Sequence, residues 1–128
     1  MIHLKQITED DLEFARRLRN SNRQYFFNTR YVTRKEHLAW FKSTKKGLYA
    51  RFYIIWDDKK RVGTISIKRN EIGNVLIEEK SRGKGFLRKV LGKIQVKNVC
   101  VKVRPDNEVG IAIYKALGFK EKERILWK

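Results

Sequence analysis

Residues Ile2 to Gln6 alternate apolar and polar side chains, the period of a half-buried strand. Thr8, with Glu9, Asp10 and Asp11 behind it, opens a helix that runs to about Arg19, because a capping hydroxyl and first-turn acids suit the positive helix end. Leu12, Phe14, Ala15 and Leu18 form its buried side. The polar stretch Arg19-Asn20-Ser21-Asn22 and the run Tyr25-Phe26-Phe27-Asn28 lead to Thr33-Arg34-Lys35-Glu36, a capping box that starts a second helix reaching about Lys42. Tyr49 to Trp56 and Val62 to Lys68 read as a hairpin turning at Asp57-Asp58-Lys59-Lys60. Asn70-Glu71 turns the chain into a further strand that ends in the apolar run Val75-Leu76-Ile77.

The pattern then changes sharply. Glu78-Glu79-Lys80-Ser81-Arg82-Gly83-Lys84-Gly85-Phe86 is a glycine-bearing turn, and Leu87, Val90, Leu91 and Ile94 beyond it share one helix face. A turn of this kind between strand and helix exposes backbone N–H groups at a positive helix end, an arrangement suited to a phosphate or pyrophosphate. Val99 to Val103 predicts another strand. Asp106 or Asn107 can cap a last helix with Val109, Ala112, Ile113, Ala116 and Leu117 as its core stripe, and Gly118 stands where a left-handed cap is wanted. Asn107, Ile111 and Tyr114 lie on a different face, so core packing alone does not account for the tyrosine. Phe119 to Trp127 completes the order β-α-α-β-β-β-α-β-α-β, which predicts an α/β (more narrowly α+β) domain with a mixed sheet flanked by helices.

Composition adds bounds. The 128 residues suffice for one domain spanning 1–128 with a sizeable core, and one proline, eight glycines and 41% hydrophobic residues describe a compact chain without low-complexity tracts. The opening Met1-Ile2-His3-Leu4-Lys5 does not read as a signal peptide, and no apolar run approaches the ~20 residues of a membrane span, so a soluble cytoplasmic protein without membrane partners is expected. Cys100 is alone between Val99 and Val101, where it reads as core filling; no disulfide framework or metal site is implied. Thirty-one Lys and Arg against fourteen acids give a formal charge of +17. That excess is spread along the whole chain, without a basic arm or an RNA-binding aromatic motif, which argues against nucleic acid and for attraction of small anionic ligands. The high lysine content of a short, loop-poor chain also fits a thermophilic origin.

Lys80-Ser81-Arg82-Gly83-Lys84-Gly85 resembles the Q/R-x-x-G-x-G/A acetyl-CoA loop of the GNAT superfamily of N-acetyltransferases. It is neither a Walker loop nor a dinucleotide fingerprint, since the spacers and the third glycine are missing. Downstream, Asn107 to Phe119 resembles that superfamily's N-x-x-A-x-x-x-Y-x-x-x-G-F segment, in the expected order. The resemblance implies a mostly antiparallel sheet with a splayed parallel pair, here Val75 to Glu78 and Val99 to Val103, holding the pantetheine arm of acetyl-CoA. It implies that Lys80, Arg82, Gly83, Lys84, Gly85 and Phe86 receive the pyrophosphate, and that Val75, Leu76 and Ile77 pair with pantetheine through the main chain. Asn107 would hold the arm and Tyr114 would protonate the departing thiolate. A base must still take the proton of the attacking ammonium; Glu71, Glu78 and His37 are all candidates.

Leu18-Arg19-Asn20, Phe27-Asn28 and Val32-Thr33-x-x-Glu36-His37-x-x-Trp40-Phe41 narrow the resemblance to the branch that acetylates the 4-amino group of UDP-linked deoxy-sugars in pseudaminic-acid-type pathways. That branch implies substrate contacts from Arg19, Asn28, His37 and Trp40, with Arg19 and His37 toward the nucleotide phosphates. His37, Phe41 and Trp40 also suit simple packing between a helix and the core. The chain departs from the pattern at Lys80 (usually Gln or Arg), at Leu87 (often small) and at Gly110 (usually alanine). The helix after Gly85 is also about two turns shorter than usual, leaving an edge that a second copy in a homodimer could cover. Protein N-terminal acetylation, a non-catalytic CoA-binding module and a basic nucleic-acid-binding protein are the other readings.

Overall fold

The alternation at the start of the chain becomes β1 (Ile2–Gln6), the outer strand of a five-stranded sheet ordered β1-β2-β3-β4-β5 in the computed structural model, which describes residues 1–44, 51–94 and 98–122. β2 (Arg51–Asp57), β3 (Lys60–Lys68) and β4 (Glu71–Ile77) follow as an antiparallel meander, and β5 (Cys100–Val101) closes the far edge parallel to β4. The β2–β3 hairpin turns where the charges predicted, with Asp58 at φ 52. Asn and Asp tolerate that left-handed value better than most residues.

The capping box expected at Thr33 forms, and Thr8 with Asp11 makes a second. The Thr8 N–H donates to Asp11 Oδ2 at 2.7 Å ahead of a short 3₁₀ turn (Glu9–Asp11) and α1 (Leu12–Ser21). The Glu36 N–H donates to Thr33 Oγ1 at 3.2 Å at the head of α2 (Arg34–Thr44). These helices cover one sheet face: Ala15 and Phe41 pack with Phe52 and Ile54, and Leu12, Phe14 and Trp40 join them. The alternate residues of β2 point the other way, as strand pleating requires. Ile55, with Ile2, Val62, Ile65 and Ile72, packs against Phe86 and Val90 of α3 (Phe86–Lys93). Phe86 rather than Leu87 leads the buried stripe of α3, since it lies one turn before Val90 on the sheet-facing side.

Three expectations need correction. The strand predicted over Val99 to Val103 is only Cys100–Val101, because its ladder with β4 ends at Ile72↔Val101. Cys100 is exposed, not core filling: the period of two turns half-buried Val99 and Val101 inward and the cysteine out. α4 (Glu108–Ala116) is rotated from the predicted orientation. Val109 is 71% exposed and Ile113 43%, and Ala112 and Ala116 are exposed too, while Asn107, Ile111, Tyr114 and Leu117 are half-buried. The termini of the helix choose this orientation. Arg104 Nη1 donates to the Phe26 carbonyl at 3.0 Å and its other nitrogens grip Asp106, fixing the approach to the helix. At the far end Gly118 takes φ 98, its N–H donates to the Lys115 carbonyl, and the Phe119 N–H reaches back to Tyr114. This is the Schellman arrangement, and the edge-on contact of the Tyr114 and Phe119 rings is its hydrophobic clasp. The predicted strand over Phe119 to Trp127 and the Tyr49 end of β2 lie wholly or partly outside the described residues, and Phe119 to Lys122 are not strand.

Candidate active site

Two irregularities in β4 occur at the same place. Between the pairs Ser66↔Gly73 and Thr64↔Leu76, β4 carries one more residue than β3, a bulge that bends the strand and re-aims its groups. The ladder to β5 ends one residue earlier, at Ile72. From Gly73 to Ile77, then, the β5-facing edge of β4 has no ladder partner among the described residues. This is the splayed parallel pair, and Val75, Leu76 and Ile77 lie along it, with the Ile77 carbonyl accepting Arg82 Nε at 3.0 Å.

Immediately beyond this open edge, a 3₁₀ turn (Glu79–Ser81) leads into the glycine loop. Gly83 and Gly85 have φ values of 79° and 73°, which a residue with a Cβ rarely adopts, and both face open space. Gly85 is also the N-cap of α3 and has no side chain to satisfy the first-turn amides, so those N–H groups and the positive helix end are left for a ligand. The backbone here has the geometry of an anion cradle.

Lys80 and Lys84 are exposed beside the loop. Arg82 is directed inward: Nε donates to the Ile77 carbonyl at 3.0 Å and Nη2 to Asn22 Oδ1 at 2.9 Å. A surface cleft of ≈ 720 Å³ lies between this loop and α1, with Leu18, Ser21, Asn22 and Tyr25 on one wall and Glu78 and Arg82 on the other. Glu78 accepts a long hydrogen bond from the Ser81 hydroxyl at 3.4 Å. The other carboxylate candidate, Glu71, stands at the opposite end of β4 in an ion pair with Lys102 at 2.9 Å.

Asn107 caps α4 by accepting the Gly110 N–H at 3.0 Å. A Cβ at Gly110 would meet the Asn107 side chain at 2.6 Å, which accounts for glycine at that helix position. Burial pushes the Tyr114 hydroxyl up to about 12. The phenol is therefore protonated throughout the physiological range.

The residues expected to touch an acceptor gather between α1, α2 and the connection joining them. Asn20 pins that connection twice: its Nδ2 donates to the Val32 carbonyl at 2.9 Å, and the Val32 N–H returns to Oδ1 at 2.8 Å. Arg19 Nη2 donates to the Asn28 carbonyl at 3.0 Å, and its guanidinium lies 4.2 Å from the Phe26 ring centroid. Asn28 is thus tied in through its backbone, while its Oδ1 accepts the Arg30 N–H. His37 is 7% exposed and stacked on Trp40 with centroids 4.9 Å apart; Trp40 in turn meets Phe52 edge-on. Desolvation, then the nearby charges of Arg16 and Arg19, holds the His37 imidazole below its ordinary range. Burial followed by Arg30 lowers Arg19 in the same way. Among the described residues, the buried atoms Arg16 Nε, Arg19 Nη1 and His37 Nδ1 have no hydrogen-bond partner. None of these three residues lines the cleft beside the glycine loop.

Sequence reasoning missed Arg16, Asn22 and Arg104. Arg16 is buried and bonds Glu13 at 2.6 Å and the Tyr31 hydroxyl at 3.0 Å. Its spacing from Glu13 was a readable signal. Asn22 and Arg104 act across long sequence separations, and nothing local announces them. No group of three or more potential metal ligands occurs among the described residues.

No protein-family model matches the sequence, and no curated protein matches it. Solved structures do. The aminoglycoside N-acetyltransferase AAC(6')-Iy in complex with CoA superposes with a TM-score of 0.80 at 17% identity, covering 100% of this chain and 93% of that one. The spermidine N-acetyltransferase of Vibrio cholerae, in complex with CoA and spermine, gives 0.79 at 22% identity over 95% and 82%. A transcriptional regulator from Bacillus halodurans gives 0.79 at 16% over 100% and 99%. The chain therefore has the GNAT fold: an open, mostly antiparallel sheet with one parallel pair, flanked by helices.

Proposed function

We propose that the chain is an acetyl-CoA-dependent N-acetyltransferase that passes the acetyl group directly to a primary amine. One observation carries the reading: a bulged strand that has parted from its parallel neighbour runs straight into a left-handed glycine turn at a helix N-terminus. Such a site offers an unpaired strand edge for an amide-bearing arm and free amides for a diphosphate, the two ends of one CoA molecule. The CoA-containing neighbours support it, and their acceptors, an aminoglycoside and spermidine by name, are small amines.

The diphosphate rests on the amides of 82–86, with Lys80, Arg82 and Lys84 supplying positive field. Pantetheine pairs along Val75–Ile77, where a main-chain N–H polarises the thioester carbonyl. Holding the amine beside the thioester supplies much of the rate. The base first takes a proton from the ammonium, and the neutral amine then forms the C–N bond as the C–S bond breaks. The second proton the nitrogen sheds on becoming an amide ends on the released CoA thiol. Glu78, at the lip of the cleft, is better placed to be the base than Glu71, at the other end of β4. Asn107 keeps Nδ2 free of the capping bond and can donate it to the arm. Tyr114 faces the departing thiolate. A phenol near 12 gives up its proton uphill to a thiolate whose acid is near 8.5, so the hydrogen bond it donates does more stabilising than complete transfer.

The acceptor of this reading is the 4-amino group of a UDP-linked deoxy-sugar. Arg19 Nη1 and His37 Nδ1, buried without partners, are the groups that would reach its phosphates. The decisive measurement is thiol release from acetyl-CoA with UDP-4-amino sugars beside peptides bearing free N-termini. Turnover with the sugar nucleotides is expected, and His37→Ala should raise the sugar KM more than that of acetyl-CoA. Turnover with peptides alone would replace the sugar assignment by protein N-terminal acetylation. Failure to bind CoA at ~0.1 mM, generous for a ~5–6 kcal/mol ligand, would overturn the enzyme reading altogether.

A further inference from the structure

Asn22 belongs to no motif and was assigned no role, yet it sits where the two halves of the site meet. It is the C-cap of α1 and the first residue of the connection to α2. It is only 6% exposed. Both ends of its amide are occupied: Nδ2 donates to the Leu18 carbonyl at 2.8 Å, and Oδ1 accepts Arg82 Nη2 at 2.9 Å. The first bond fixes the amide's orientation, so that its oxygen and not its nitrogen faces Arg82. Arg82 in turn places Nε on the Ile77 carbonyl, at the last residue of β4. One guanidinium thus joins the end of the open strand edge, the start of the glycine turn and the end of α1.

This arrangement resolves a physical difficulty in the turn. Gly83 and Gly85 have great backbone freedom and open space where a Cβ would stand; the Gly85 carbonyl accepts the Lys89 N–H at 3.3 Å, on the helix side of the turn. A cradle of amides binds an anion well only when it is already formed, since ordering it on binding subtracts from affinity. Something outside the turn must therefore hold its first residue. Arg82 directly precedes Gly83, and its side chain is anchored at two points, one on the strand and one on a buried amide.

We propose that Asn22 and Arg82 act as a positioning pair that holds the glycine turn ready for the diphosphate, with Asn22 never touching the ligand. The inference rests on the function proposed above and assigns to α1 a share in cofactor affinity. It differs from a purely electrostatic role for Arg82. A charge acting at a distance needs no partner on α1, whereas a positioning arm loses its effect when either end is released.

Calorimetric titration of the full chain with CoA tests the pair. The variants are Asn22→Leu, which fills the same space without the acceptor, Arg82→Lys, which keeps the charge without the guanidinium fork, Arg82→Gln, and the double variant Asn22→Leu/Arg82→Gln. Asn22→Leu is expected to raise the CoA Kd roughly tenfold, the loss of one hydrogen bond to a charged group. Arg82→Lys should weaken binding by a similar factor, because one ammonium cannot reproduce the fork that bonds the Ile77 carbonyl and Asn22 together. The double variant should bind no worse than the weaker single variant, because both changes release the same arm. Unchanged CoA affinity in Asn22→Leu, or strictly additive losses in the double variant, would overturn the pair and leave Arg82 a plain charge. Should Asn22→Leu not fold, an Arg82→Lys chain that binds CoA within about twofold of the unaltered one would serve equally to overturn it. If the unaltered chain does not bind CoA, the function proposed above fails and the pair falls with it; if it binds and the variants match it, only the pair falls.

Discussion

At the end of β4 the groups offered to a ligand are main-chain amides held in shape by glycine conformations and one anchored arginine. Between α1 and α2 they are long side chains, Arg16, Arg19 and His37, packed among aromatic rings with buried nitrogens unsatisfied. The contrast matches what each half would recognise. Every acetyl-CoA presents the same diphosphate and amide arm, so a backbone cradle needs no further discrimination. An acceptor must be told from other amines, and unsatisfied buried donors discriminate strongly because a ligand that fails to pair them leaves their desolvation uncompensated. Under the proposed function, the cofactor half would be the generic one and the acceptor half the one that discriminates.

The sharpest way to break this contrast is at the cradle. Gly85→Val forces a β-branched residue to φ near 73°, a strain of ~1–3 kcal/mol that the loop will relieve by moving. CoA affinity should fall by roughly tenfold to hundredfold in calorimetry, while the unfolding midpoint shifts little, since the Cβ meets no neighbour. An unchanged Kd would mean that the ligand does not use these amides.

Tyr114 sharpens the same half from the chemical side. Tyr114→Phe keeps the ring contact with Phe119, and therefore the helix cap, but removes the hydroxyl proposed to donate to the departing thiolate. The expected result is a kcat lowered by about tenfold to a hundredfold at nearly constant KM for acetyl-CoA. With the phenol pushed up to about 12, the unaltered chain should show no loss of the proposed kcat from this group as pH rises to about 9. A kcat unchanged by the substitution would leave the tyrosine with its structural role alone.

How much of this was readable follows the range of the forces involved. The capping boxes at Thr8 and Thr33, the glycine turn and the Gly118 cap depend on residues within a few positions, and all stand where local rules place them. The orientation of α4 was not readable. Two faces of that helix could serve as its inner side, and the choice depends on Arg104 reaching Phe26, which no local pattern encodes. The parting of β4 from β5 had only the resemblance behind it, while the bulge beside it left no mark in composition. At the acceptor half, His37 and Trp40 were legible as residues of interest, yet whether they pack or bind is decided by neighbours on another helix. The structure places His37 in the packed layer, stacked on Trp40 with Nδ1 unsatisfied, so the packing reading holds and binding stays a proposal.

That packed position gives a smaller, pH-dependent effect. His37 lies beside Arg16 and Arg19, with Glu13 the opposing charge, and its imidazole is held below the usual value near 6.5. Unfolded chains therefore take up the proton first as pH falls. The contribution of a neutral His37 to stability is complete above about 6.5 and is lost progressively as pH drops from there toward the lowered folded value. Thermal unfolding of the unaltered chain between pH 7.5 and 5 should show a decline that His37→Gln lacks. Parallel curves for the two would mean that the ring titrates freely, and would contradict its burial against α1.

The smallest effect probes the one residue in which side chain and backbone roles meet within the cofactor half. Asn107 caps α4 through Oδ1, and Gly110 leaves the room it needs. Gly110→Ala should gain ~1 kcal/mol of helix propensity but displace the Asn107 side chain, forfeiting a cap worth about the same. The two nearly cancel, so the unfolding midpoint should move by only a degree or two in either direction. CoA affinity should nonetheless weaken a few-fold, because the displaced amide can no longer donate to the pantetheine arm. Asn107→Ala removes the cap without the gain and should lower both stability and affinity. A Gly110→Ala chain that is more stable by the full propensity increment, with CoA affinity unchanged, would mean that Asn107 neither depends on that space nor reaches the cofactor.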